Sequence, residues 1–369
     1  MDQGKVLVLG GTGAIGAHLV PFLAEMGYKV IVTSRKQHAS SDNVKYVVGN
    51  AHDIPFIKGL LQDSFKAIIS FMTYTTEEFS TIMSLFLSVT DQYIFLSSCR
   101  AYAGSDEIIA EDAPRTLDVC KDDNYLLTDN YPLAKAKEEN LLFESNKKNW
   151  TIVRPYLTYS ETRLQLGFFE QNSWLMRAMI GKTLVFSEDL SSKYTTMTYG
   201  KDVAHCIGLL VGKQNSLGEV INITCGKSLR WGEVLNIYCD ELQKCLGREV
   251  KVKFLQEAPI DRYPSEKWTY LYDRIYNRRF TSNKLIPIIG EYSFTEPEAG
   301  LRQCIRAFVD SPVAYGFSWA EQAILDKITG EHTSPKELKS IRDMTSYYLY
   351  RYNGNKTINA IKKIKNIIK

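Results

Sequence analysis

The chain opens with the pattern that most restricts its fold. Lys5-Val6-Leu7-Val8-Leu9 is a short apolar run, suited to a strand buried on both faces of a parallel sheet. Gly10-Gly11-Thr12-Gly13-Ala14-Ile15-Gly16 follows without a spacer. Residues 17–27 then read as a helix closed by Gly27, with Pro21 in its first turns, where a missing N–H costs least. Val30-Ile31-Val32 is the next strand. Strand, glycine turn, helix and strand in this order imply an α/β chain with a doubly wound parallel sheet. The glycines permit tight turning and close approach of a diphosphate to the helix N-terminus. Gly10, Thr12, Gly13, Ala14, Ile15 and Gly16 are therefore expected to hold a dinucleotide.

The end of the second strand selects the dinucleotide. An NAD site places Asp or Glu there, to bond the ribose 2′-hydroxyl. This chain has Thr33-Ser34-Arg35-Lys36 and no acid until Asp42. A hydroxyl and two cations suit a 2′-phosphate, which Arg can contact bidentately. Ser34, Arg35 and Lys36 thus favour NADP(H) over NAD(H).

Tyr131-Pro-Leu-Ala-Lys135 places a phenol and an ammonium four residues apart. On a helix these two side chains share one face. A free tyrosine has a pKa of about 10, and a nearby positive charge favours its phenolate. The pair has the make-up of a proton shuttle.

With glycine loop, basic turn and Tyr-Lys pair together, the chain resembles the extended short-chain dehydrogenase/reductases, the NAD(P)-dependent epimerase/dehydratase family that acts largely on nucleotide sugars. The resemblance covers roughly residues 5–310 and implies a Rossmann sheet with a smaller C-terminal α/β substrate lobe. Gly10, Gly13 and Gly16 match the glycine fingerprint. Asn50-Ala51, after Tyr46-Val47-Val48, match the adenine-contacting pair, with Asn where Asp is usual. Aligned on Tyr102, Ser98 takes the place of the catalytic serine, and Tyr131 and Lys135 match the Tyr-x-x-x-Lys. Arg154-Pro155 match the segment that passes the nicotinamide, which brings Pro155 to the cofactor. Tyr199-Gly200-Lys201-Asp202-Val203-Ala204 resemble a His-Val-x-Asp-Val-Ala stretch. Cys99 has a catalytic counterpart in a related reductase-epimerase, but its register is off by one, so a small buried residue is expected there.

Departures fall on the substrate side. Leu157 stands where the family often has Asn, and Thr195 where an arginine often holds a phosphate of the sugar nucleotide. Lys193, Arg230, Arg278 and Arg279 are the available substitutes. The fourth strand, Ala67 to Met72, lacks the family's His and small residues.

The implied activity is NADPH-dependent reduction of a keto nucleotide sugar, a 4-keto-6-deoxy hexose of surface-polysaccharide synthesis. Tyr131 would donate the proton, Lys135 would hold the nicotinamide ribose, and Ser98 would bond the substrate oxygen. A nucleotide-sugar 4-epimerase with tightly bound NAD(P) is the alternative within the fold. A non-catalytic binding protein on the same scaffold is the alternative outside it, disfavoured because Ser98, Tyr131 and Lys135 are all present.

The organisation expected is a nucleotide domain over residues 1–155 with returns near 196–224. A mostly substrate-binding lobe follows over 156–310, and a helical basic tail over 311–369. Trp231 opens a helix through Leu242 and is expected to pack rather than to line a cleft. Residues 331–369 hold nine Lys and Arg against three Asp and Glu, a net of +6, so the rest of the chain stands at −3. Ile358, Ile361, Ile364, Ile367 and Ile368 mark one helical face in that tail, expected to pack on its own subunit or a dimer mate, with peripheral membrane contact as the alternative. No apolar run is long enough to span a bilayer, and because the chain enters its first strand at once no signal peptide is expected. Seven cysteines without CxxC pairs suggest reduced cytoplasmic thiols and no metal site. Nothing reads as nucleic-acid recognition, and a homodimer is expected.

Overall fold

A computed structural model describes residues 3–312 and 317–352. The chain divides into two compact units. The first holds residues up to Ser160, Tyr194–Leu229 and Tyr276–Gly300. The second holds Glu161–Lys193, Arg230–Ile275 and the chain from Leu301 onward.

Seven strands form the sheet of the first unit: β1 (Lys5–Leu9), β2 (Lys29–Ser34), β3 (Val44–Val48), β4 (Ala67–Ser70), β5 (Tyr93–Leu96), β6 (Trp150–Pro155) and β7 (Glu219–Ile223). Their spatial order is β7-β6-β5-β4-β1-β2-β3, and every pair is parallel. The order runs both ways from β1 and β4, so the sheet is doubly wound. Alternation along β1 explains the two layers of helices. Val6 and Val8 face a core with Leu19, Leu23, Ile207 and Leu210, from helices Gly16–Glu25 and Gly200–Leu210. Leu7 and Leu9 face the opposite core, with Phe79, Ile82, Phe86 and Leu142 from helices Thr76–Val89 and Tyr131–Glu144.

Element ends differ from the sequence reading in small ways with local causes. The first helix starts at Gly16 and stops at Glu25, with Gly27 at φ +89° beyond it. Pro21 lies within it, deeper than a first-turn position. β4 ends at Ser70, so Phe71 and Met72 leave the sheet. The short connection to β5 is filled by the helix Thr76–Val89. Thr75 caps it, its hydroxyl accepting from the Glu78 N–H while the Glu78 carboxylate accepts from the Thr75 N–H.

The second unit pairs Leu184–Ser187 with Val252–Leu255 as two parallel strands. Helices Gln171–Met179, Trp231–Leu246, Trp319–Thr329 and Ile341–Tyr352 belong to it. The Trp231 helix runs four residues beyond the expected Leu242. Trp231 is buried, with the Arg274 guanidinium 6.0 Å from its ring centroid, which is a packing role. The helix Ile341–Tyr352, rich in tyrosine, docks through a buried ionic knot. Arg177 donates to Asp326 at 2.7 Å and Tyr347 donates to the other oxygen at 2.6 Å. Burial alone would push the Asp326 carboxyl up. Bonds from Lys182, Tyr347 and Arg177 outweigh that and hold it below the usual range. The isoleucine and lysine face expected over 358–369 lies outside the described residues. Among the described residues, no helix is long and apolar enough to cross a membrane. All seven cysteines are free thiols.

Candidate active site

Because every strand pair of the seven-stranded sheet is parallel, the carboxyl ends of β1, β2, β4, β5 and β6 share one edge. The glycine loop leaves β1 there. Gly10 turns the chain at φ +72°, a conformation open to glycine, and its N–H donates to the Thr33 hydroxyl of β2 at 3.2 Å. A Cβ on Gly16 would lie 2.5 Å from the Gly11 carbonyl carbon, so this glycine is needed for helix and loop to pack. Gly13 is exposed, and a Cβ there would meet nothing within 4 Å. The helix that follows has no side-chain cap hydrogen bond. An uncapped N-terminus beside open space has the make-up of an anion cradle, with Thr12, Ala14 and Ile15 around it.

At the end of β2, the Ser34 hydroxyl accepts from the Lys36 N–H at 3.1 Å, and Arg35 and Lys36 are exposed. Past β3, Asn50 is exposed and its Oδ1 accepts from the His52 N–H. Ala51 is buried, and its carbonyl accepts from the Tyr74 hydroxyl. Pro155 is the last, buried residue of β6.

Ser98 follows the end of β5, Tyr131 is reached from there through Arg100, and Lys135 lies against Phe95 of β5. The Ser98 hydroxyl accepts from the Arg100 N–H at 3.1 Å, which leaves its own proton to donate. The Arg100 guanidinium lies 5.5 Å from the Tyr131 ring centroid. Tyr131 opens the helix Tyr131–Glu144 and Lys135 follows one turn later. Lys135 is 2% exposed, with Nζ 4.6 Å from the Phe95 ring centroid of β5.

Two acids that sequence reasoning passed over build the floor of this region. Glu138 accepts from Lys135 Nζ at 2.8 Å and is fully buried. Burial pushes its carboxyl above the usual range, against the pull of Lys135. Glu139 takes Arg154 through two bonds of 2.7 and 2.6 Å, the Ser97 hydroxyl at 2.6 Å and Arg115 at 3.2 Å. This clamp joins the helix to β6 and to the residue before Ser98. Spacing held the signal: residues 138 and 139 stand three and four positions after Lys135, on the same helical face.

Cys99 is buried and donates to the Arg154 carbonyl at 3.0 Å, and burial pushes its thiol far up, which suits packing rather than catalysis. Of the substitutes for the missing arginine, Arg278 is buried and donates to the carbonyls of Tyr102 and Ala103. Arg279 sits over the Tyr194 ring at 5.3 Å. Both are thus engaged in holding backbone and ring. Thr195 is fully buried. Asp202 accepts from Tyr292 and from the Thr295 N–H, anchoring the helix Gly200–Leu210. Among the described residues no cluster of His, Cys, Asp and Glu could hold a metal ion.

Comparison with known proteins adds three findings. A family model described as the NAD dependent epimerase/dehydratase family matches residues 6–224. The chloroplast stem-loop binding protein of 41 kDa b from Arabidopsis thaliana is 24% identical over 240 residues, 60% of this chain. The match spans 59% of that relative's length, less than two thirds of it. Solved structures share the fold. An epimerase from Methanothermobacter thermautotrophicus superposes with a TM-score of 0.64 at 15% identity, over 84% of this chain and 93% of its own. WbmH from Bordetella bronchiseptica, solved with NAD+, gives 0.63 at 15% identity, over 85% and 100%. A UDP-glucuronic acid 4-epimerase from Bacillus cereus, solved with a UDP-sugar analogue and NAD, gives 0.63 at 16% identity, over 84% and 100%.

Proposed function

Since the chain belongs to the NAD-dependent epimerase/dehydratase family, we propose that it is an NADPH-dependent reductase of a keto nucleotide sugar, a 4-keto-6-deoxy hexose being the preferred form. The observation that supports this reading is local: Ser98 follows β5, Arg100 beside it lies 5.5 Å from the Tyr131 ring centroid, and Lys135 lies 4.6 Å from the Phe95 ring centroid of β5, at the carboxyl edge of the sheet where the glycine loop leaves β1.

The open cradle at Gly13 and the uncapped helix N-terminus fit a dinucleotide diphosphate. Gly10 to Gly16 would hold the diphosphate, and Ser34, Arg35 and Lys36 a 2′-phosphate. Asn50 and Ala51 would hold the adenine, Lys135 the nicotinamide ribose, and Pro155 would lie at the nicotinamide. When bound, NADPH supplies the hydride. The protein manages the oxygen that hydride addition leaves behind. Ser98 donates a hydrogen bond to the carbonyl oxygen as negative charge grows there. The Tyr131 O–H bond breaks and its proton completes the alcohol.

Net reduction is favoured over epimerisation by the basic turn, because NADPH is the usual cellular reductant. The test is a fluorescence titration with NADPH and NADH. NADPH is expected to bind about tenfold tighter or more, and Arg35→Ala with Lys36→Ala to erase the difference. Equal affinities in the unmodified protein would remove the 2′-phosphate argument. The stem-loop binding relative favours a second reading, a binding protein without turnover. It predicts a mobility shift of a hairpin RNA that persists in Tyr131→Phe, with no response to either nucleotide.

A further inference from the structure

Lys135 lies almost wholly inside the first unit, 2% exposed, in a place where an isolated ammonium is costly. Its carboxylate partner is Glu138, three residues on and fully buried. The neighbouring acid is not available for this, because Arg154, Ser97 and Arg115 occupy Glu139. Glu138 uses one oxygen on Lys135. The other, Oε1, is buried without a hydrogen-bond partner among the described residues. That leaves the Lys135 ammonium as the hydrogen-bond partner of this carboxylate.

We propose that Glu138 is a positioning residue for Lys135, fixing the ammonium in place inside the fold so that it can bond the nicotinamide ribose. The proposal rests on the NADPH reading above. Glu138 stands three residues from Lys135, so its carboxylate approaches from the side of the helix turn after Lys135, while Tyr131 lies one turn before it. Along the helix Lys135 thus lies between Tyr131 and Glu138, with its ammonium bonded to Glu138. The ring of Phe95 closes the same ammonium from β5. Other titratable groups act on Glu138 from the surrounding elements: Tyr74, Tyr93, Asp129 and Glu139. None of them is a cation, so Lys135 alone compensates it among these groups. Burial above all, with Asp129 and Glu139 adding to it, raises the proton affinity of the Glu138 carboxyl against the pull of Lys135.

The experiment is NADPH binding followed by nucleotide fluorescence, on the full chain and on Glu138→Gln, Lys135→Met and the double variant. Glu138→Gln is expected to weaken binding about tenfold, because the Lys135 ammonium loses the charge-assisted bond that fixes its position. Lys135→Met is expected to weaken binding by a similar factor. Adding Glu138→Gln to Lys135→Met should then change affinity less than about twofold, the mark of one residue acting through the other. Glu138→Asp keeps the charge at shorter reach and should recover part of the loss, which also serves if the glutamine variant does not fold. Unchanged binding in Glu138→Gln would overturn the proposal, as would an equal loss in both backgrounds. If the unmodified chain does not bind NADPH, the functional reading fails first and this proposal falls with it. If it binds and Lys135→Met weakens it while Glu138→Gln does not, only the role of Glu138 fails.

Discussion

Tyr131→Phe is expected to lower turnover about a thousandfold while leaving NADPH affinity within about twofold, the size of effect that loss of a general acid produces. The change removes one oxygen. The ring stays half-buried at the start of its helix, and the Arg100 guanidinium keeps an aromatic face 5.5 Å away. Neither Lys135 nor the clamp at Glu139 bonds to that oxygen in the structure, so their positions should persist. The split between rate and affinity is therefore the signature. Steady-state kinetics paired with a nucleotide titration checks it. A large loss of NADPH affinity would mean that the phenol holds the cofactor rather than moving a proton. Full activity would mean that another group supplies the proton.

Glu139→Ala is expected to cost about 3–5 kcal/mol of stability, because it strands the Arg154 guanidinium in the interior. Arg154 is 2% exposed and bonds Glu139 through two nitrogens, and its second support is the Tyr102 ring at 4.5 Å. The carboxylate holds Arg154 strongly in its charged form, since the Coulomb and hydrogen-bond pull of Glu139 more than offsets burial. For a folding unit of this size the loss corresponds to a fall in Tm of roughly 10 °C. Thermal denaturation measures it. Replacing both Glu139 and Arg154 by methionine should be milder than Glu139→Ala alone, since no buried charge is then left over. A loss below about 1 kcal/mol in the single variant would show that the clamp is not what joins helix and sheet.

The sequence was legible where local rules and the fold agree. The glycine loop sat between a strand and a helix, and each glycine later proved to meet a turn, a close contact or an open cradle. Tyr131 and Lys135 were legible because helical spacing fixes their common face. Partner choice was not legible. Glu138 and Glu139 are adjacent and chemically alike, yet one serves the buried lysine and the other a buried arginine from β6. Which is which depends on how the helix is rotated against the sheet, a tertiary fact. Arg278 illustrates the same limit. Its charge made it a substitute for the missing phosphate-binding arginine, and only the fold shows it occupied by the carbonyls of Tyr102 and Ala103. The tyrosine-rich segment read as part of a basic tail over 311–369, yet Tyr347 bonds Asp326 and Asp326 in turn takes Arg177 from the helix Gln171–Met179 of the second unit. That bond links residues 21 apart, a pairing that the local turn signals between them, Gly330 and Ser334-Pro335, do not specify.

Consumption of NADPH against a panel of 4-keto and 4-hydroxy nucleotide sugars, with Tyr131→Phe as control, tests the central claim most directly. Loss of NADPH absorbance is expected with a 4-keto sugar, one equivalent per product alcohol, and none in the variant. Isomer formation from a 4-hydroxy sugar without net NADPH consumption would contradict it, as would NADPH consumption that the variant retains.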